Sequence, residues 1–161
     1  MVFVRRTTMD QWQALRDIRL AALTDAPDAF LSTYAEREAF QEADWRRRIS
    51  REAMFFAYAS EVNGTEPVGL VSGLQEIPGT VELVSLWVRP HARGRGVGEA
   101  LVTAVIDWAR TRNARSVHLW LTETNVHARV LYERCGFSPT GERQPLPSNS
   151  SLREVGMARP L

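Results

Sequence analysis

No lysine occurs in this chain; all 20 basic residues are arginine. The Gly-Lys pair that a P-loop requires is therefore missing, which excludes that way of holding a nucleotide. An arginine-only composition points to a high-GC bacterial genome, which bears on origin and not on chemistry. Cysteine is nearly absent too. Cys135 stands alone, so no internal disulfide forms, and its place beside Gly136 on an apolar stripe suits packing better than nucleophilic chemistry. The three histidines, His91, His118 and His127, are far apart without ligand spacing, so no metal site is expected. No apolar run approaches the roughly 20 residues that cross a bilayer. Met1–Gln11 lacks a signal-peptide core followed by a cleavage site. The 20 basic and 19 acidic residues leave a net charge of +1, which argues against nucleic acid or a membrane surface as partner. Even Arg46-Arg47-Arg48 with Arg51 reads as a solvated helix face. The expectation is a cytoplasmic protein of one domain, residues 1–161, without repeats or linkers; 44% hydrophobic residues suffice for a core.

What is present concentrates in Val81–Ala104. A run of β-formers ends at Arg89-Pro90, an Arg/Gly-rich turn follows, and a helical pattern opens near Gly98. Gly94, Gly96 and Gly98 alternate there, each able to let a ligand approach the main chain. Unpaired N–H groups and the positive end of a helix dipole converge on such a turn and make it an anion site. Arg93 and Arg95 add positive charge. The dinucleotide fingerprint G-x-G-x-x-G fails, because its third glycine position is Glu99 when counted from Gly94. The pattern that fits is R-x-x-G-x-G, Arg93 to Gly98. A second segment, Val117–Phe137, has the alternation of a strand, an N-cap at Asn125 and a helix stopped by Gly136. It reads N-x-x-A-x-x-L-Y-E-x-x-G-F, through Asn125, Ala128, Leu131, Tyr132, Glu133, Gly136 and Phe137.

These two segments, in this order, resemble the two signatures of the GNAT superfamily of N-acetyltransferases, and the closing Gly156–Leu161 is similar to that family's last strand. The resemblance spans essentially the whole chain. It implies an α/β fold with a mixed, mostly antiparallel sheet splayed at two parallel strands and flanked by about four helices. It implies acetyl-CoA as co-substrate, its pyrophosphate on the backbone of Arg93, Gly94, Arg95, Gly96, Val97, Gly98 and Glu99. The pantetheine would run along Leu83–Val88, bonded by N–H groups of Leu86 or Val88 around Trp87, with Asn125 and Ala128 at the opposing strand end. Tyr132 matches the family's general acid, and a phenol with an ordinary pKa near 10 is protonated at neutral pH. Glu82, on an otherwise apolar strand, takes the register of a glutamate base; Glu123 and solvent are the competing sources of a neutral amine. The acceptor, a primary amine of a small molecule or peptide, would meet Asp25–Glu38 and Gln144–Ser151, where Asp25, Asp28, Glu36 and Glu38 with Phe30 and Tyr34 suggest acidic and aromatic contacts. Homodimers are common among similar proteins. A non-catalytic acyl-CoA-binding or sensing domain is the other reading, and retention of Tyr132 and Glu82 favours the enzyme.

The rest of the pattern is an alternating series. Val2–Arg5 reads as a strand. Thr8 and Gln11 form a capping box before a helix carrying Trp12, Leu15, Ile18 and Ala22 on one face. A loop through Phe30 and Tyr34 leads to a helix at Glu42–Arg51. Phe55–Ser60 and Pro67–Gln75 form a hairpin about Asn63-Gly64. Ile77-Pro78-Gly79 turns into the central strand Glu82–Val88. Then come a helix at Gly98–Arg112, a strand at Val117–Thr122 and a helix at Val126–Arg134. Pro139–Ser151 reads as a long loop or irregular hairpin before a strand at Glu154–Ala158.

Overall fold

A computed structural model describes the chain except for Leu31, Asn63 and Gly64; the turn expected at Asn63-Gly64 thus lies outside the described residues. Seven strands form one sheet: β1 (Phe3–Arg6), β2 (Ala53–Tyr58), β3 (Gly69–Ile77), β4 (Thr80–Val88), β5 (Ser116–Thr122), β6 (Ser138–Leu146) and β7 (Asn149–Pro160). Their order is β1-β2-β3-β4-β5-β7-β6, and every neighbouring pair is antiparallel except β4–β5. Five α-helices accompany it: α1 (Trp12–Asp25), α2 (Tyr34–Glu38), α3 (Glu42–Arg51), α4 (Val97–Thr111) and α5 (Val126–Arg134). The splayed, mixed sheet anticipated from the sequence is what forms, with β4 at its centre.

Alternation along the strands divides the apolar side chains between two cores. On one face Leu15 and Ile18 of α1 and Trp45 and Ile49 of α3 pack with Phe56, Leu70 and Trp87. On the other, Leu101 and Val105 of α4 pack with Ala57, Val71, Leu83 and Leu119, and Tyr132 of α5 joins them. Both sheet faces are thus covered, which is why β4 could be read as a buried strand. The capping box at Thr8 and Gln11 forms as expected, though it opens a short 3₁₀ turn, Met9–Gln11, that leads into α1.

One stretch differs from the sequence reading, and another settles an alternative that it left open. The loop through Tyr34 contains α2, opened by a second capping box in which Thr33 and Glu36 exchange bonds; that Thr-x-x-Glu signal was present and short enough to overlook. Pro139–Ser151 takes the second of its two readings, an irregular hairpin. It is most of the β6–β7 hairpin, closed at Pro147-Ser148 and interrupted by register shifts near Pro139 and Pro145. β6 is an edge strand, where proline costs no ladder bond, so a turn-like composition still pairs.

Candidate active site

The parallel pair β4–β5 is joined only at Thr80, Val81 and Glu82, opposite Ser116, Val117 and His118. Beyond Glu82 the strands separate, β5 remaining paired with β7 as far as Thr122–Glu154 and β4 with β3 as far as Val88–Gly69. Between the pairs Ser72–Val84 and Leu70–Trp87, two residues of β4, Ser85 and Leu86, stand against one of β3, Val71, and Ser85 takes a φ of 62°. For a serine that is a sparsely occupied conformation held by its surroundings, costing about 1–3 kcal/mol. The bulge bends β4 away from β5 and opens a fork in the middle of the sheet. Its β4 edge, Leu83–Val88, makes no ladder bond to β5, and buried backbone groups without partners are costly.

At the far end of that edge, a one-turn 3₁₀ segment (Pro90–Ala92) leads to α4. The first main-chain bond of α4 runs from Ala100 N–H to Gly96 O, 3.0 Å; the N–H groups of Gly94 through Glu99 have no partner among the described residues. Gly94 and Gly96 take φ of 76° and 81°, and a Cβ at either would meet nothing within 4 Å. The turn is therefore an open cradle of amides at the positive end of a 15-residue helix. It fits a diphosphate. Gly98 serves a different need than the sequence suggested. It lies inside α4, where a Cβ would come within 2.9 Å of Leu131 on α5, so its absence lets the two helices meet. Glu99 points its carboxylate toward Arg134 at 3.6 Å.

Arg93 also departs from expectation. Its Nη2 donates to Asp25 Oδ2 at 2.6 Å and its Nε to the Val88 carbonyl at 3.0 Å. Trp87 Nε1–H donates to the same Asp25 oxygen at 2.9 Å, and these two bonds hold the Asp25 carboxyl below its ordinary range. Arg93, Trp87 and Asp25 thus lock the end of α1 to the end of β4. Arg95, exposed beside the cradle, remains as its cationic side chain.

Below the fork lies a cavity of about 220 Å³. Glu82 to Ser85 form its floor with Trp120 of β5 and Glu154 of β7. Glu82 sits at the root of the fork, half-buried. Burial pushes its carboxyl above the usual range, Glu76 and Glu154 push the same way, and His118 opposes them. Glu154 is almost fully buried, 3% exposed, and accepts a hydrogen bond from Gln144. The roof is Phe30, tied down through neighbouring bonds: Ser148 Oγ–H donates to Phe30 O at 2.8 Å, and Thr122 Oγ1–H to Asp28 O at 2.7 Å. The two segments expected to flank the acceptor therefore do meet over this cavity.

Their carboxylates do not enter it. Asp25 is held by Trp87 and Arg93, Glu36 caps α2, Asp28 accepts from Asn149, and none of these lines the cavity. The helical wall is basic instead: Arg19 of α1, Arg37 of α2 and Arg48 of α3, with Glu52 beside Arg48 at 3.2 Å. Arg48 is thus no part of a solvated face, although Arg46 and Arg47 are, paired with Glu42 and Asp44. Sequence reasoning missed Arg19, Arg37 and Glu154: Arg19 falls on the apolar face of α1 between Leu15 and Ala22 but is charged, Arg37 lies in a stretch read as loop, and nothing local marks Glu154 as inward.

Tyr132 lies on the other side of the fork, in the core under α4, with Leu86 and Val88 packed against that cluster. Burial drives its phenol well above the ordinary range, so it holds its proton. Its ring is 5.8 Å from that of Phe137. Asn125 Oδ1 accepts from Ala128 N–H at 3.2 Å, capping α5 at the mouth of the fork as the sequence anticipated. Glu123 is exposed, bonded to Arg143 at 2.9 Å, and is not among the residues that line the cavity.

A family model described as Acetyltransferase (GNAT) family matches residues 12–137. A mycothiol acetyltransferase from Salinispora arenicola is 33% identical over 141 residues, 82% of this chain and 42% of that protein. An uncharacterized N-acetyltransferase from Methanocaldococcus jannaschii is 37% identical over 87 residues, 50% of this chain and 38% of that one. The matches thus span less than half the length of both relatives. An acetyltransferase of the GNAT family from Streptococcus pneumoniae superposes with a TM-score of 0.80 at 15% identity, covering 100% of this chain and 99% of its own. The Salmonella typhimurium protein yncA, solved with its cofactor acetyl-CoA, gives 0.76 at 20% identity, covering 100% and 94%.

Proposed function

From the premise that this chain belongs to the acetyltransferase (GNAT) family, we propose that residues 1–161 act as one N-acetyltransferase unit that moves an acetyl group from acetyl-CoA to a primary amine. The observation that carries the reading is the fork: a central strand edge without ladder partners, running from a cavity lined by charges of both signs to a cradle of free amides. The amides of Gly94–Glu99 would hold the diphosphate, with Arg95 alongside. The free edge of Leu83–Val88 would bond the amides of the pantetheine arm, and the N–H of Leu86 or Val88 would hold the thioester carbonyl. Asn125, whose oxygen is committed to capping α5, keeps its Nδ2 hydrogens for the same arm. Bound there, acetyl-CoA supplies an activated acyl carbon.

The chain's own groups manage the protons. Glu82, at the root of the fork and raised by burial, takes a proton from the incoming ammonium, directly or through water. The freed nitrogen forms a bond to the acyl carbon as the carbon–sulfur bond breaks. The second proton that this nitrogen must lose passes to water, from which Tyr132 regains its own after protonating the thiolate. Tyr132, kept neutral by burial, donates its proton to the departing thiolate. A thiol-release assay with acetyl-CoA across amines and peptides tests this. Turnover of at least one amine, with calorimetric binding of CoA, is the expected result. The absence of any heat with every CoA species would overturn it.

A further inference from the structure

Charge in the cavity is divided by wall. Glu82 and Glu154 come from the sheet, and the charged groups that act on Glu82 are His118, Glu76 and Glu154. Arg19, Arg37 and Arg48 come from the helices, and the groups that act on Arg19 are Arg48, Arg37 and Glu52. The helical wall thus sets three guanidiniums beside one carboxylate, Glu52, which is already bonded to Arg48 at 3.2 Å, while Glu82 and Glu154 stand on the sheet side. Arg19 is 3% exposed, and its Nε and Nη1 have no hydrogen-bond partner among the described residues; Arg37 Nε has none either. These are half of the six buried side-chain polar atoms that lack a partner.

A buried guanidinium normally persists only when paired and hydrogen-bonded. Here it faces the ring of Phe30 at 4.6 Å, a contact that leaves its in-plane donors unused. Burial and the neighbouring arginines bring Arg19 down to about 9 and Arg37 to about 10, as unmatched positive charge requires. Planar, forked donors of this kind match a carboxylate. The opposite wall offers carboxylates suited to an ammonium. At ~30 Å³ per water, a cavity of about 220 Å³ equals roughly seven waters, room for a compact metabolite.

We propose that the acceptor is a zwitterion, an amino acid or close analogue, whose carboxylate docks on Arg19, Arg37 and Arg48 while its amine faces Glu82 and Glu154. This inference rests on the acetyltransferase reading and names the substrate class of the same site. It also explains why the acids of Asp25–Glu38 are bonded elsewhere: the amine end is received by the sheet, and the helical segments receive the anion.

The test is steady-state kinetics of the whole protein with acetyl-CoA and matched trios: the twenty amino acids, their carboxamides and the corresponding decarboxylated amines. At least one amino acid should exceed both of its partners by ~10-fold or more in kcat/KM, as the loss of a charge-assisted bond implies. Arg37→Gln should erase that preference by raising KM for the amino acid, leaving kcat and the KM for acetyl-CoA near wild type. Arg19→Met removes an unmatched buried charge, so Tm should hold or rise while the preference disappears. A lowered Tm in Arg19→Met with the preference intact would make Arg19 a structural residue and overturn its role here. Should Arg19→Met fail to fold, Arg37→Gln decides alone. Equal or better turnover of the decarboxylated amines overturns the zwitterion and leaves acetyl transfer standing. The same holds if only amines or peptides outside the trios are turned over. No turnover of any amine overturns acetyl transfer and, with it, this inference.

Discussion

The amide cradle before α4 and the cavity beneath Phe30 lie at opposite ends of one strand edge, and they are built in opposite ways. The cradle comes from six consecutive residues, Gly94–Glu99, and uses main-chain atoms. The cavity takes side chains from α1, α2, α3, β3, β4, β5, β6 and β7. A site made of backbone depends on conformation, and two glycines at positive φ secure it. A site made of side chains depends on charge, and it can be retuned one residue at a time without disturbing the fold. On the proposed function, the cradle would keep its grip on the acyl donor while the acceptor pocket is free to diverge.

Substitutions at the two ends should separate accordingly. The largest effect is expected at the root of the fork. Glu82→Gln should lower turnover by ~100-fold or more, the lower bound for a lost general base, with CoA affinity by calorimetry unchanged. The pH profile sharpens this. Glu82 works deprotonated and its pKa is raised, so kcat/KM should fall, as pH drops, at a pH above the ordinary carboxylate range. That acidic limb should be missing in Glu82→Gln, and its survival there would assign it to another group. Tyr132→Phe comes next. Turnover should fall by at least ~10-fold, the general-acid range starting near ~100-fold, with CoA binding retained. Full activity in Tyr132→Phe would remove it from the chemistry.

At the cradle the effects are smaller and of another kind. Gly96→Ala forces a Cβ into the left-handed region at the N-cap of α4, costing about 1–2 kcal/mol, with no clash because the space above is open. Chemical denaturation should show that loss together with weaker CoA binding, while kcat at saturation stays. If CoA affinity is untouched, the turn does not hold the diphosphate. The smallest effect belongs to the clamp between the two ends. Arg93→Ala leaves Asp25 with Trp87 alone; for so exposed a pair the loss is below ~1 kcal/mol. Its sign with pH follows from the lowered Asp25 pKa. The contribution is present above the unfolded value, near 3.8, and lost as pH falls through the lower folded value. Wild type and Arg93→Ala should thus converge in stability at acidic pH.

The same contrast governs how much could be read from residues alone. α3 and α5 were legible to the residue, because caps, apolar spacing and a terminal glycine are local signals. The fork was legible only through the family's motifs. Nothing in Val81–Val88 as a string announces that pairing stops at Glu82, since the cause is a bulge at Ser85 set by β3. β6 stayed open between a loop and an irregular hairpin because Pro139, Gly141 and Pro145 signal turns, and only an edge position tolerates them in a ladder. Nothing near Arg93 in the sequence signals that its side chain pairs with Asp25, which lies across the fold on α1.

Amino-acid order by itself determined where a glycine-rich turn would open a helix, which strand would be central and which helix ends would be capped. Each depends on groups a few residues apart, whose geometry the chain carries with it. Tertiary structure alone decided that Arg93 would be a clamp, that Glu154 would turn inward, and that Arg19, Arg37 and Arg48 would share one wall. Those residues are separated by tens of positions, and their charges acquire meaning only once packing excludes water and brings them together.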